Sequence, residues 1–220
     1  MLSSFSVNAK AYVATRFAKW FSGNDLLRSI GSFYPSPSIR ADKYHLDLIV
    51  HLAQIIKPKK YLEVGTYRAG LFNLMIPIAE ELIAVDINPD AKKYIRHSDK
   101  TIFFEMESRL FWNVAKAKNY RFDLIFIDGD HSKNAVREDF FGALSVINDE
   151  GIILLHDTYP VDSLATIQAR CGDGYEAIWE ISRAVSEYEL VTIPVHPGLT
   201  IVRKRKGQVP WRDFQEDSPN

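Results

Sequence analysis

The chain predicts an α/β fold: a parallel sheet covered by helices on both faces and finished by an antiparallel hairpin. Three observations carry this. Five short apolar runs rich in Ile, Leu, Val and Phe alternate with helix-like stretches between Lys60 and Arg170. The first of them, in YLEVGTYRAG at Tyr61–Gly70, runs directly into a glycine turn. Two further strand-like runs, Tyr188–Val195 and Leu199–Arg205, are joined by His196-Pro197-Gly198 alone. Strands apolar on both faces and alternating with helices belong to a parallel sheet buried on both sides. A connection too short for a helical crossover forces the last two to be antiparallel.

The elements follow in order. A helix is expected after Asp42 as N-cap, running to about Lys57, with Leu46, Ile49, Val50, Ala53 and Ile56 inward and Pro58 as its stop. Strand Lys60–Val64 leads to a helix over Leu71–Glu81, where Pro77 predicts a kink or an early end. Strand Leu82–Ile87 precedes a helix over Asp90–His97, and strand Thr101–Glu105 a helix over Arg109–Lys118. Strand Phe122–Ile127 is followed by a helix over Lys133–Ile147, and strand Gly151–Leu155 by a helix over Asp162–Arg170. Phe103, Phe104, Phe111 and Trp112 are expected in the core.

Length and composition bound the rest. At 220 residues and 46% apolar, the chain suits one well-buried domain better than two. Twenty-seven basic against 28 acidic side chains leave no global electrostatic footprint for nucleic acid. The single cysteine, Cys171, excludes an intramolecular disulfide and a cysteine-rich zinc site, and a reducing, cytoplasmic setting is expected. No apolar run reaches the ~18 residues of a membrane span.

Three segments emerge: residues 1–41 as a helical cap and Pro/Ser-rich connector, 42–205 as the main domain, and 206–220 as a polar tail. In the cap, Val13, Phe17, Trp20 and Phe21 fall on one face of a helix that also carries Lys10, Arg16 and Lys19. Such a helix suits three uses: packing or oligomerisation, which would make a homodimer; lying on a membrane surface; or organellar targeting.

The motif after the first strand has chemical content. Gly65 lets the backbone approach a ligand, and Asp86, at the carboxyl end of the next strand, can accept hydrogen bonds from ribose hydroxyls. The spacing is G-x-x-x-x-G, not the G-x-G-x-x-G of a dinucleotide site, and no P-loop Gly-Lys-Ser/Thr follows. The pocket is suited to a nucleoside without a diphosphate, which argues against a nicotinamide-dependent oxidoreductase.

LEVGTYRAG, AVDINP, FDLIFIDGDHS and GIILLHD, in that succession, resemble the motifs of class I S-adenosylmethionine-dependent methyltransferases. The resemblance covers roughly Asp42 to Arg205 and implies a Rossmann-like seven-stranded sheet of order 3-2-1-4-5-7-6 with strand 7 antiparallel. IDGDHS with LLHD is similar to the catechol-type and macrolide-sugar O-methyltransferase branch. That resemblance implies Glu63, Gly65 and Thr66 at the methionine end of the cofactor, Asp86 on its ribose, Glu107 with Ser108 near its adenine, and Asp128 both against the cofactor and in catalysis. It also implies that Asp128 and Asp157 bind a metal and that His131 serves as base.

Asp128, Asp130 and His131 end the fourth strand, and His156 and Asp157 the fifth. Neighbouring strands lie about 4.8 Å apart, so Asp128 and Asp157 can converge on a divalent cation, Mg²⁺ being expected. The bland alternative is that both aspartates cap helices. Thr158 stands where catechol-type enzymes place an asparagine ligand, so a third protein ligand is not identified. Without a metal, His131 or His156 remains available as general base; the equal alternative for His156 is a buried histidine hydrogen-bonded under the sheet edge. Tyr34, Tyr67 and Tyr159 are expected around a small-molecule acceptor of sugar or phenol type. The rival functions are an amine N-methyltransferase and a non-catalytic S-adenosylmethionine-binding protein. The first lacks its customary Asn/Asp-Pro-Pro-Tyr/Phe loop here, and the second leaves the acid and histidine set unused.

Overall fold

The computed structural model describes residues 44–184 and 187–205. The expected N-terminal helix and connector (1–41), the N-cap Asp42, Tyr34 and the tail 206–220 lie outside the described residues. The sheet has seven strands: β1 (Lys60–Val64), β2 (Glu81–Asp86), β3 (Thr101–Glu105), β4 (Phe122–Ile127), β5 (Ile147–His156), β6 (Tyr188–Ile193) and β7 (Leu199–Lys204). Their order is β3-β2-β1-β4-β5-β7-β6. The pairs from β3 through β5 are parallel, and β7 is antiparallel to both β5 and β6. The expected topology is therefore present.

Alternation along β1 divides the core. Leu62 and Val64 join a cluster with Phe111, Trp112, Phe140 and Ile178 on one face. Tyr61 packs on the other with Ile49, Phe72, Met75 and Leu124. The first face is covered by α3 (Ser108–Ala117), α4 (Lys133–Val146) and α5 (Gly174–Ser182), the second by α1 (Tyr44–Ile56) and α2 (Gly70–Met75). Phe111 and Trp112 are core residues as expected, and the Trp112 indole donates to buried Asp139 at 2.8 Å.

Helix α2 ends early, at Met75, two residues ahead of Pro77, as that proline predicts: its missing N–H cannot extend the ladder. Three elements differ from expectation. A 3₁₀ helix over Pro89–Tyr94 replaces the helix expected over Asp90–His97, its N-terminus capped by Asn88 accepting from the Asp90 amide. Strand β5 starts at Ile147, because its register with β4 shifts between Phe122 and Leu124 and takes up the intervening residues. No helix forms over Asp162–Arg170; irregular closures such as Cys171 N–H to Ala165 O fold it into successive turns. The helix is α5 instead, with Ala177, Ile178 and Ile181 buried.

The strand order reverses between β1 and β4. The chain runs outward from β1 to β2 and β3, then returns to add β4 and β5 on the other side. The carboxyl ends of β1 and β4 therefore part at a crevice, the general ligand site of open α/β sheets.

Candidate active site

A cavity of about 990 Å³ occupies that crevice. Gly65, Tyr67, Asp86, Ile87, Met106, Glu107, Ser108, Asp128, His131, His156 and Asp157 are among its lining residues. Of the cofactor residues expected from sequence, Gly65, Asp86, Glu107, Ser108 and Asp128 line it, while Glu63 and Thr66 are buried behind the wall. A second cavity, of about 770 Å³, lies at the opposite sheet edge around Phe141, Leu144 and Tyr188. Its Lys204 donates to the Ile147 carbonyl and faces Asp149, and it gathers no comparable set of acids and histidines.

The β1–β2 half is built from backbone. Gly65 has φ +82°, and a Cβ there would sit 2.0 Å from the Asp128 carbonyl oxygen. The glycine is required first by the close passage of the β4 loop, a constraint that the motif alone did not reveal. Asp86 accepts from the Tyr67 amide at 2.7 Å and the Asn88 amide at 2.8 Å, one bond on each carboxylate oxygen. Each oxygen keeps a further lone pair for a ligand. Glu107 pairs with Arg109 at the rim. The Ser108 hydroxyl is bonded to buried Asp139, whose carboxyl is pushed up to about 6, chiefly by burial. Ser108 thus lines the cavity with its hydroxyl already engaged.

Glu63 accepts from the Tyr61 hydroxyl at 2.6 Å on the α1/α2 face. Burial raises its pKa to about 8, overcoming the opposing hydrogen bond from Tyr61. At neutral pH it is mostly a neutral acid.

The β4–β5 half is built from side chains. Asp157, at φ +58°, turns its carboxylate back toward Asp128. His131 Nε2 lies 3.1 Å from Asp157 Oδ2 and 3.5 Å from Asp128 Oδ1. His156 Nδ1 lies 3.1 Å from Asp128 Oδ1 and 3.5 Å from Asp157 Oδ2. The two aspartates therefore do meet. Asp130 instead accepts from the Ser132 amide and from Gln168, tying the β4 loop to the turns after β5. Thr158, at the position of the missing asparagine, accepts from Thr200 and is buried beside β7, away from the cavity.

These contacts fix protonation. Burial alone would lower the His156 pKa, but its hydrogen bonds to Asp128 and Asp157 and their charges outweigh that and raise it to about 10. His131 is raised by the same balance: burial opposes, and the bond to Asp128 with the charges of Asp157 and Asp128 prevails. Burial likewise opposes ionisation of Asp128, yet the two histidines hold it well below the usual carboxylate range. An imidazolium at neutral pH cannot accept a proton, so His156 is unsuited to the expected role of general base. Its Nε2 is buried without a hydrogen-bond partner, and its ring lies 4.1 Å from that of His45 on α1, tilted by 50°.

One ligand atom from each of Asp128, His131 and Asp157 lies within 4.8 Å of the other two. Two carboxylate oxygens and an imidazole nitrogen form a donor set that fits a divalent cation. His131, expected as base, stands beside the two aspartates in that set.

Other contributors were not anticipated. Met106, Ile87 and Ala169 line the cavity, the last from turns taken for a helix. The buried Cys171 thiol approaches Asp157 Oδ1 at 3.5 Å, and burial with that charge pushes its pKa up to about 12. Ala169 lies within the stretch expected as a helix over Asp162–Arg170, and Cys171 directly follows it. Tyr67 lines the cavity, whereas Tyr159 is exposed outside its lining.

A family model described as a methyltransferase domain matches residues 52–158, from α1 to just past Asp157. That span holds β1 to β5 and nearly every lining residue. The chain carries a methyltransferase domain. Solved structures agree in fold. An O-methyltransferase from Bacillus cereus in complex with SAH superposes with TM-score 0.62 at 16% identity, covering 81% of this chain and 88% of that one. The SAH-bound Podospora anserina methyltransferase PaMTH1 gives 0.60 at 18%, covering 93% and 98%. The N-methyltransferase NodS from Bradyrhizobium japonicum, also with SAH, gives 0.52 at 12%, covering 77% and 89%. At such identities the likeness establishes the fold of the methyltransferase domain and leaves the acceptor atom to the site. No curated protein sequence matches the chain. No described helix is long and apolar enough to cross a membrane.

Proposed function

We propose that this methyltransferase transfers the methyl group of S-adenosylmethionine to a hydroxyl oxygen of a small molecule. The observation that carries the proposal is one cavity with two chemically distinct ends. Asp86 offers paired acceptors at the nucleoside end, and two aspartate side chains flanked by histidines stand at the other. In this reading Asp86 holds the ribose, Ile87 and Met106 face the adenine beside Glu107 and Ser108, and Gly65 lies along the methionine portion. Glu63 and Thr66 support that wall from behind.

Attack on the sulfonium methyl forms a carbon–oxygen bond and returns the sulfur–carbon pair to sulfur, leaving neutral S-adenosylhomocysteine. Asp128 is the catalytic residue. It accepts the hydroxyl hydrogen bond, orients an oxygen lone pair along the attack line, and takes the proton that becomes strongly acidic as the new bond forms. His156, an imidazolium donor to Asp128, keeps that carboxylate ionised. A divalent cation held by Asp128 and Asp157 would add Lewis-acid polarisation of the hydroxyl. Tyr67, exposed at the rim, is placed to face the acceptor.

The test is calorimetric titration with S-adenosylhomocysteine and with NAD, followed by transfer of labelled methyl to matched panels of alcohols, phenols and amines. Saturable S-adenosylhomocysteine binding and labelling of hydroxylic acceptors support the proposal. Binding of NAD instead, or labelling confined to amines, overturns it.

A further inference from the structure

We propose that His131 is a metal ligand and that the Asp128–His131–Asp157 site selects a first-row transition dication of the Mn²⁺ or Co²⁺ type over Mg²⁺. The inference deepens the methyl-transfer reading and rests on it for the presence of a cation.

It starts from the tautomer of His131. Its Nδ1 faces the Arg170 backbone carbonyl at hydrogen-bond range. A carbonyl oxygen only accepts, so Nδ1 carries the hydrogen. Nε2 is left facing Asp157 Oδ2 and Asp128 Oδ1, 3.1 and 3.5 Å away. The three atoms stand close enough to share one divalent cation in place of a proton on Nε2. A backbone carbonyl that fixes one ring nitrogen while the other points at a carboxylate-lined centre is the usual support of a metal-bound histidine.

Metal–ligand bonds of about 2.1 Å place neighbouring donors about 3.0–3.4 Å apart in octahedral or tetrahedral geometry. The His131–Asp157 pair, at 3.1 Å, already has that spacing, and with all three donors within 4.8 Å of one another a small inward shift of Asp128 would complete it. His156 already directs Nδ1 at Asp128 and Asp157 from its own strand, so a hydrogen-bond donor for the pair is in place without His131. The His131 backbone is clamped as well. Its carbonyl accepts from the Gly174 amide at 2.9 Å, and a Cβ on Gly172 would lie 2.3 Å from that oxygen. The ring is thus held to its position by the turns preceding α5.

Ligand type sets the selectivity. Mg²⁺ prefers an all-oxygen shell with several waters, whereas an imidazole nitrogen suits Mn²⁺, Fe²⁺, Co²⁺ and Zn²⁺.

The experiment uses the full chain stripped with a chelator and titrated calorimetrically with Mn²⁺, Co²⁺ and Mg²⁺, each with and without S-adenosylhomocysteine. Mn²⁺ and Co²⁺ are expected to bind at least about tenfold more tightly than Mg²⁺. His131→Gln is expected to remove about tenfold or more of that advantage, with S-adenosylhomocysteine affinity held. Pulsed electron paramagnetic resonance of the Mn²⁺-loaded wild type should show coupling to a coordinated nitrogen, a readout independent of whether the variant folds. Equal or tighter Mg²⁺ binding, no saturable ion, or absent nitrogen coupling overturns the inference. If S-adenosylhomocysteine binds while no ion does, only the metal assignment fails. If Mn²⁺ binds with nitrogen coupling but S-adenosylhomocysteine does not, the methyl-transfer reading fails and the metal site stands.

Discussion

The two halves of the crevice meet their chemical needs by opposite means. On the β1–β2 side the polar work falls to backbone amides and one carboxylate: Tyr67 and Asn88 present N–H groups to Asp86, and Gly65 gives way to the neighbouring loop. On the β4–β5 side four titratable side chains share two carboxylate oxygens within hydrogen-bond range. Backbone-built sites are insensitive to pH and depend on shape. Side-chain-built sites carry their charge state as a variable. The contrast suits a constant cofactor at one end and a proton-bearing acceptor at the other.

The harshest way to break the comparison is Gly65→Ala, because Gly65 touches both halves. A methyl 2.0 Å from the Asp128 carbonyl, on a residue at φ +82°, forces the β1 and β4 ends apart. A stability loss on the order of 3 kcal/mol or more is expected by denaturant unfolding. A loss below ~1 kcal/mol would mean the two loops are not locked together.

Asp128→Asn and Asp86→Ala should separate the halves. The first is expected to lower turnover by about 10³-fold, as loss of a positioned acid–base group does, with S-adenosylhomocysteine affinity little changed. The second is expected to weaken S-adenosylhomocysteine by about tenfold or more, through lost hydrogen bonds to the side-chain acceptor. The crossed result, with each variant showing the other's phenotype, would invert the assignment of the two ends.

The larger pH response should come from the β4–β5 side. His156 has a folded-state pKa of about 10, above its ordinary value near ~6.5. Its contribution to stability is therefore complete below ~6.5 and is lost as pH rises through about 10. NMR titration of the metal-free protein should show the His156 ring protonated at pH 8, and Asp128→Asn should lower its pKa. A midpoint below 7 in the wild type would remove the imidazolium from the mechanism.

The smallest effect is expected at Glu63. Its folded-state pKa of about 8 exceeds that of a free carboxyl, so burial costs stability increasingly as pH climbs from ~4.5 to about 8 and levels off above. Glu63→Gln should stabilise the ligand-free protein at pH 8 by on the order of 1–3 kcal/mol, and by almost nothing at pH 4. Equal effects at both pH values, measured by urea unfolding, would show that Glu63 ionises freely in the fold.

Legibility differed between the same two halves. Gly65 and Asp86 could be read from their places at strand ends, because glycine turns and strand periodicity are local properties. The meeting of Asp128 with Asp157 was also legible, since adjacent parallel strands bring their carboxyl ends together. Which His131 nitrogen faces the aspartates is not legible locally, because the other nitrogen answers to the Arg170 carbonyl, 39 residues on. That partner sits in turns of helical composition, and the same turns conceal that Ala169 and Cys171 lie beside the site. Between a base and a buried hydrogen-bonded histidine, the two expectations for His156, only its neighbours distinguish.

By itself the sequence determined the alternation of strands and helices, the closing hairpin, and a glycine and an acid at the ends of β1 and β2. These follow from periodicity and backbone conformation, which act over a few residues. Tertiary structure alone decided why Gly65 must lack a side chain, which nitrogen of His131 faces the aspartates, and that His156 is held as a cation. Each depends on atoms brought together from distant parts of the chain, where burial and neighbouring charge shift proton affinities that no local pattern encodes.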